Sequence, residues 1–197
     1  MPENPTLAVI GLGYVGLPLA VALARHFDTV GFDVDTARIE ALRAGNDRTG
    51  EIDSPTLGDS SLAYTSDEAG IRGRDIYIVA VPTPVDDAKQ PDLGALESAA
   101  GIVGRVMASG AIVVFESTVY PGVTEDICGP ALAAASGLEC GREFFLGYSP
   151  ERINPGDRAH RIDTITKVVA GQTPDVAARL RAVYGAVNGG DIFVAAD

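Results

Sequence analysis

Leu7-Ala8-Val9-Ile10-Gly11-Leu12-Gly13-Tyr14-Val15-Gly16-Leu17-Pro18 is the stretch on which the reading of this chain turns. Leu7 to Ile10 is a short apolar run, the signature of a buried strand. Three glycines follow it at once in Gly-x-Gly-x-x-Gly spacing, and an alanine-rich apolar helix follows from about Tyr14 to Arg25. Each glycine has its own task. Gly11 permits the tight turn, Gly13 lets the backbone approach a pyrophosphate, and Gly16 lets helix and strand pack closely. The helix N-terminus adds unpaired N–H groups and the positive end of its dipole. A glycine triplet alone is weak evidence; the flanking strand and helix are the context that gives it meaning. A second strand, Thr29 to Phe32, ends in Asp33. That carboxylate falls where the ribose hydroxyls of a dinucleotide would lie.

Composition limits the alternatives. With 197 residues the chain suits one domain, and a chain of this size buries about 70% of its unfolded surface without staples. The net charge of −12 disfavours nucleic acid and anionic membrane surfaces as partners. It does not disfavour a phosphate ligand, because a helix terminus acts locally. Cys128 and Cys140 are the two cysteines. Their spacing suits neither a metal site nor a disulfide framework, and it fits a reducing, cytoplasmic setting. Met1-Pro2-Glu3-Asn4 lacks a basic segment, so no signal peptide is expected. No apolar run reaches the 18 residues of a membrane span.

Beyond Asp33, Thr36 to Ala44 is expected to be helical and is stopped by Gly45. Residues 45–61 are rich in Gly, Asp, Ser, Thr and Pro and are expected to be mostly loop. A short strand is expected from Leu62 to Thr65, and a single helical turn at Asp67-Glu68-Ala69. Ile76 to Val81 is a continuous apolar run, as in a parallel strand buried on both faces, and Pro82-Thr83-Pro84 ends it. A polar loop, Val85 to Gln90, precedes a helix from Pro91-Asp92 to about Ser109, with Asp92 as its N-cap. Ala111 to Phe115 is another buried strand, followed by Glu116-Ser117-Thr118. Pro121 opens a helix to about Ser136. Phe144 to Gly147 is a strand ending at Tyr148-Ser149-Pro150-Glu151, and a polar loop runs on to Asp163. Ile165 to Ala170 is a strand, Pro174 to Tyr184 a helix, and Ile192 to Ala195 a last strand.

Strands alternate with helices, so the expected fold is α/β: a Rossmann-type, doubly wound, mainly parallel sheet in a single domain. Crossover connections of one hand would set every strand's C-terminal end on one edge, where such sheets bind ligands. Gly11 and Gly13, Asp33, Thr83, Ser117-Thr118 and Glu151 each follow a strand, so all would meet there. Thr83 is either a cofactor hydrogen-bonding group or a simple strand terminator. Thr118 either positions a water or an alcohol, or satisfies a turn. Glu151 is either a general base or half of a surface ion pair with Arg152 or Arg158. Arg38 either reaches the ribose or a phosphate, or lies on a solvated helix face. His26 and His160 lie at no useful spacing. Neither Cys128, in an alanine-rich helix, nor Cys140, without a neighbouring base, has the setting of a nucleophile.

Together these motifs resemble one family. Ile10-Gly11-Leu12-Gly13-Tyr14-Val15-Gly16-Leu17-Pro18 is similar to the opening of the UDP-glucose/GDP-mannose dehydrogenases. So are Val81-Pro82-Thr83-Pro84 with Pro91-Asp92-Leu93, Glu116-Ser117-Thr118-Val119 with Pro121-Gly122, and Pro150-Glu151. The resemblance runs from about residue 6 to the end with motif order preserved. It implies that two NAD molecules are reduced in turn. The sugar C6 alcohol becomes an aldehyde, then a thioester on a cysteine, and water releases a carboxylate. It also implies that Gly11, Gly13, Tyr14, Val15, Gly16, Asp33, Arg38, Thr83 and Thr118 form the NAD site. Thr118 would help order the water near C6, and Glu151 would be the base of thioester hydrolysis. NAD is expected over NADP, because Asp33 accepts from both ribose hydroxyls and repels a 2′-phosphate; Arg38 is the complication.

Two departures refine the resemblance. The UDP-glucose enzymes carry a second glutamate four residues after the first; here that position is Pro155. Ser149-Pro150-Glu151-Arg152-Ile153-Asn154-Pro155-Gly156-Asp157 instead resembles the branch acting on UDP-N-acetylhexosamines, as in bacterial capsule and O-antigen synthesis. The family's catalytic lysine and cysteine, on a later helix and in a second domain, have no match here. The chain is therefore expected to be the N-terminal, NAD-binding part of an enzyme whose complete form takes a UDP-sugar and assembles as a homo-oligomer. An NAD-sensing module and a dehydrogenase of the 3-hydroxyacid type are the alternatives. A sensor needs no base at Glu151, and the Glu116-to-Val119 and Pro150-Glu151 motifs argue against the second.

Overall fold

The computed structural model describes residues 4–85, 91–150, 166–189 and 191–195. Eight strands form one sheet in the order β3-β2-β1-β4-β5-β6-β7-β8. They are β1 (Leu7–Ile10), β2 (Thr29–Phe32), β3 (Ala63–Thr65), β4 (Ile76–Val79), β5 (Ala111–Phe115), β6 (Phe144–Tyr148), β7 (Lys167–Gly171) and β8 (Ile192–Val194). The helices are α1 (Gly16–Leu23), α2 (Thr36–Arg43), α3 (Ser54–Asp59), α4 (Gly94–Val106), α5 (Gly129–Ser136) and α6 (Pro174–Val187).

The central strands are apolar throughout because both of their faces are covered. Leu7, Val9, Ile76, Ile78, Ile112 and Val114 point to one side, where α1, α2 and α6 supply Leu19, Leu23, Ile39, Leu42, Leu180 and Tyr184. The alternate residues Ala8, Ile10, Tyr77, Val79, Val113 and Phe115 point to the other side and meet Leu96, Val103 and Leu132 from α4 and α5. The period of two is therefore present inside each uninterrupted apolar run, hidden because neither face is wet. Caps set the helix starts: the Asp35 side chain accepts from Ala37 and Arg38 N–H at α2, and Thr173 accepts from Val176 N–H at α6, with Pro174 in its first turn.

Several expectations need correction. Residues 45–61 are mostly loop, as expected, but a short helix, α3, forms within them, capped by Asp53 with Pro55 in the first turn. The helix expected from Pro121 to Ser136 is a π-helical turn, Val123–Cys128, followed by α5. Pro130 explains the break, because it has no N–H to donate and its ring crowds the preceding turn. Asp92 does not cap α4 from the usual position; Leu93 is the flanking residue, and Asp92 accepts from Gly94 N–H at 2.9 Å. β4 ends two residues earlier than expected, and α6 runs three residues further.

The largest correction concerns direction. β1 to β6 are parallel, but β7 pairs antiparallel with β6, Gly147 facing Gly171 and Tyr148 facing Ala170, and β8 runs parallel to β7. The C-terminal ends of β7 and β8 therefore do not share the edge of the other six. A parallel pair needs a crossover, usually helical, whereas an antiparallel pair does not; the polar, non-periodic sequence between β6 and β7 carries no such helix signal. The reversal has a consequence for the site, because it brings the first residue of β7, Lys167, beside the end of β5.

Candidate functional site

The turn after β1 is built by steric exclusion. Gly11 adopts φ +91°, a left-handed value that side chains disfavour. A Cβ on Gly16 would lie 1.9 Å from the Gly11 carbonyl oxygen, so helix and turn touch only because Gly16 has none. Gly13 differs: a Cβ there meets no atom of the chain within 4 Å. Nothing among the described residues requires glycine at that position. The open space beside Gly13 would let a phosphate group approach the backbone, as a dinucleotide needs.

Asp33 ties this turn to the end of β2. Its Oδ2 accepts from Leu12 N–H at 2.9 Å, and its Oδ1 accepts from Asp35 N–H at 3.0 Å. Arg38 lies behind the turn and is 1% exposed. Its Nε donates to the Leu12 carbonyl at 2.9 Å and its Nη2 to Asp47 Oδ1 at 2.7 Å. It is therefore on neither a solvated helix face nor the wall of the cleft, and it acts as a buried brace for the glycine turn. Asp47 gathers the next segment: its carboxylate accepts from the Thr49 N–H and hydroxyl, from Glu51 N–H and from Ile52 N–H. Burial works against its charge, yet these bonds, led by those from Thr49, hold its carboxyl at about 2. Arg48, presented by this turn, pairs with Asp35 at 2.8 Å.

On the other side, the loops after β4 and β5 are laced together. Thr83 Oγ1 donates to the Thr118 carbonyl at 2.9 Å, and Ser117 Oγ donates to the Val81 carbonyl at 2.6 Å. The Thr118 residue is exposed. Beneath them sits a group that sequence reasoning did not single out. Glu116 is 1% exposed; Lys167 Nζ donates to its Oε2 at 2.6 Å, and the Tyr184 hydroxyl donates to its Oε1. Lys167 also lies over the Tyr184 ring, 5.5 Å from its centroid. The available signal was a carboxylate placed directly after five buried strand residues, since a buried charge demands a partner.

Between these loops lies a cleft of about 710 Å³, the size of a small-molecule site. Gly11, Gly13, Tyr14, Val15, Asp33, Thr83 and Thr118 all line it, with Val34, Arg48, Ser98 and Glu116. Gly16 and Arg38 do not; they shape the turn from behind. Glu151, the candidate base, and His160 lie outside the described residues. Neither cysteine lines the cleft. Cys128 is buried, and burial, helped by Glu97 and Glu125, pushes its thiol up to about 12, far from the thiolate a nucleophile needs. Cys140 sits beside Gln172. His26 stacks at a tilt near Phe27, at the far end of α1. Among the described residues, no helix is long and apolar enough to cross a membrane.

Residues 5–188 match the model of the UDP-glucose/GDP-mannose dehydrogenase family, NAD binding domain. The chain belongs to that family. NAD is accordingly the cofactor of this UDP-glucose/GDP-mannose dehydrogenase domain. Protein CapL of Staphylococcus aureus is 49% identical over 184 residues, which is 93% of this chain and 43% of CapL. UDP-N-acetyl-D-glucosamine 6-dehydrogenase of Pseudomonas aeruginosa is 49% identical over 179 residues, 90% of this chain and 42% of that protein. Among solved structures, UDP-D-ManNAc dehydrogenase from Pyrococcus horikoshii superimposes with a TM-score of 0.87 at 32% identity, covering 96% of this chain and 46% of that one. The chain thus spans less than half the length of each of these three relatives.

Proposed function

We propose that the chain is the NAD-holding portion of an enzyme that oxidises the C6 alcohol of a UDP-N-acetylhexosamine to a carboxylate in two NAD-dependent steps. The observation that carries this reading is the convergence of the glycine turn, Asp33, Thr83 and Thr118 on one cleft, in a chain 49% identical to a UDP-N-acetyl-D-glucosamine 6-dehydrogenase. When bound, NAD supplies the hydride acceptor. The chain's own residues orient it. The turn at Gly11 to Gly16 presents backbone N–H groups to the pyrophosphate. Asp33 accepts from the adenosine ribose. Thr83 and Thr118, fixed to one another, border the reacting end, where the Thr118 hydroxyl positions the water or sugar oxygen. Glu151 is the proposed base of thioester hydrolysis, and the nucleophilic thiol is supplied by a cysteine other than Cys128 and Cys140. The same reading carries a cytoplasmic location, a UDP-sugar partner and a homo-oligomeric complete enzyme.

The complete enzyme tests this. With UDP-N-acetylglucosamine or UDP-N-acetylgalactosamine it is expected to release two NADH per sugar and a uronic acid. Preference for UDP-glucose or GDP-mannose would contradict the substrate class. Glu151→Gln is expected to slow hydrolysis by about 10²–10⁴ and to accumulate a covalent thioester in rapid-quench experiments. Equal slowing of both oxidations without such an intermediate would remove Glu151 from that role.

A further inference from the structure

Arg48 is the one cationic side chain among the described residues that line the cleft, and it stands at the end occupied by Asp33 and Val34. In a chain of net charge −12, a lone cation at that end would be the natural partner of a 2′-phosphate. Its side chain is 62% exposed, but the backbone that presents it is anchored. The turn that presents it is drawn around Asp47, whose carboxylate binds three backbone N–H groups on residues 49 to 52. Asp47 is in turn anchored on the buried Arg38 and through it on the Leu12 carbonyl of the glycine turn. Yet Arg48 is already engaged. Its Nη1 donates to Asp35 Oδ2 at 2.8 Å, while Asp35 Oδ1 caps α2 and the Asp35 N–H donates to Asp33.

We propose that Asp35 is a specificity-determining residue that excludes 2′-phosphorylated dinucleotides by holding Arg48 in an ion pair at the adenosine-ribose end of the cleft. The inference rests on the assignment of this cleft to NAD. Asp33 acts directly, by accepting from the ribose hydroxyls and repelling a 2′-phosphate. Asp35 acts through Arg48: it occupies the guanidinium that would otherwise offer a charge-assisted, two-pronged contact to that phosphate, and it adds a second negative charge beside Asp33. The Arg48 hydrogen bond is also the main cause holding the Asp35 carboxyl below the usual carboxylate range, in keeping with an ionised, occupied pair.

The test is calorimetric titration of this chain with NAD and with NADP, for the parent, Asp35→Asn, Arg48→Gln and the double variant. Asparagine is as good an N-cap as aspartate, so Asp35→Asn keeps the α2 cap and removes the charge. The ratio of NADP to NAD affinity is expected to rise about tenfold in Asp35→Asn, the worth of roughly one charge-assisted hydrogen bond. That gain should largely vanish in the double variant, and Arg48→Gln alone should show none. An unchanged ratio in Asp35→Asn overturns the proposal, and so does a gain that survives the loss of Arg48. A parent chain that binds neither dinucleotide overturns the cofactor assignment itself, an outcome separable from the others because it appears before any substitution.

Discussion

Of the three glycines after β1, Gly11 and Gly16 are required by the local fold and Gly13 is not, and the difference can be measured. Gly16→Ala drives a methyl into the Gly11 carbonyl, where 1.9 Å is available. We expect it to lower stability by about 2–4 kcal/mol, read from denaturant unfolding. Gly13→Ala meets no atom of the chain, so its stability should stay within about 0.5 kcal/mol of the parent while NAD affinity falls. Equal losses of stability in both variants would contradict the assignment. Asp47 gives a second residue-scale expectation. Its carboxyl titrates lower in the folded chain, at about 2, than in the unfolded one, near 4. Its contribution is therefore complete above about pH 4 and is lost as pH falls toward about 2. Asp47→Ala, which strands Arg38 in the interior, should cost about 3–5 kcal/mol at neutral pH. It should also flatten the acid limb of the stability profile; an unaltered acid limb would refute the ion pair. At this scale the sequence disclosed Gly11, Gly16 and Asp33, whose constraints are local. It did not disclose that Arg38 turns inward, because its partner Asp47 lies in a segment whose composition suggested mostly loop.

Strands were the easiest elements to read, since two-sided burial demands unbroken apolar runs. What escaped was punctuation inside polar or mixed stretches. Asp53-Ser54-Pro55 holds a complete helix start, masked by the turn-forming residues around it. Pro130 sits inside a run that otherwise has helical composition, and the chain answers with a π-helical turn before α5. The reversal at β7 depends on strand pairing, a long-range property that no window of sequence contains. Its product, the Glu116–Lys167–Tyr184 cluster, joins β5 to β7 and α6. Lys167→Met removes a cation from a carboxylate that is only 1% exposed, and should destabilise by about 3–5 kcal/mol. Pairing it with Glu116→Gln, which retains an acceptor for Tyr184, should recover most of that loss. If the double variant is as unstable as the sum of the singles, Lys167 and Glu116 are not coupled.

At the scale of the whole molecule, the strand order sets the cleft. β1 lies between β2 and β4, so the chain winds outward in both directions from the glycine turn. The crevice left there is where open α/β sheets bind ligands, and the loops after β1, β2, β4 and β5 all reach it. The net charge of −12 does not prevent binding of an anionic cofactor, because the local donors of the turn decide the matter. Turnover is a different requirement: covalent catalysis needs an activated nucleophile, and the two cysteines lie away from the cleft. This chain alone should therefore hold NAD yet form no NADH from UDP-N-acetylglucosamine. A calorimetric titration of NAD into this chain, repeated with Asp33→Ala, tests directly whether the cleft holds the cofactor. One saturable site per chain, weakened about tenfold or more by the substitution, is the expected result. Absence of saturable binding, or binding indifferent to Asp33, would contradict it.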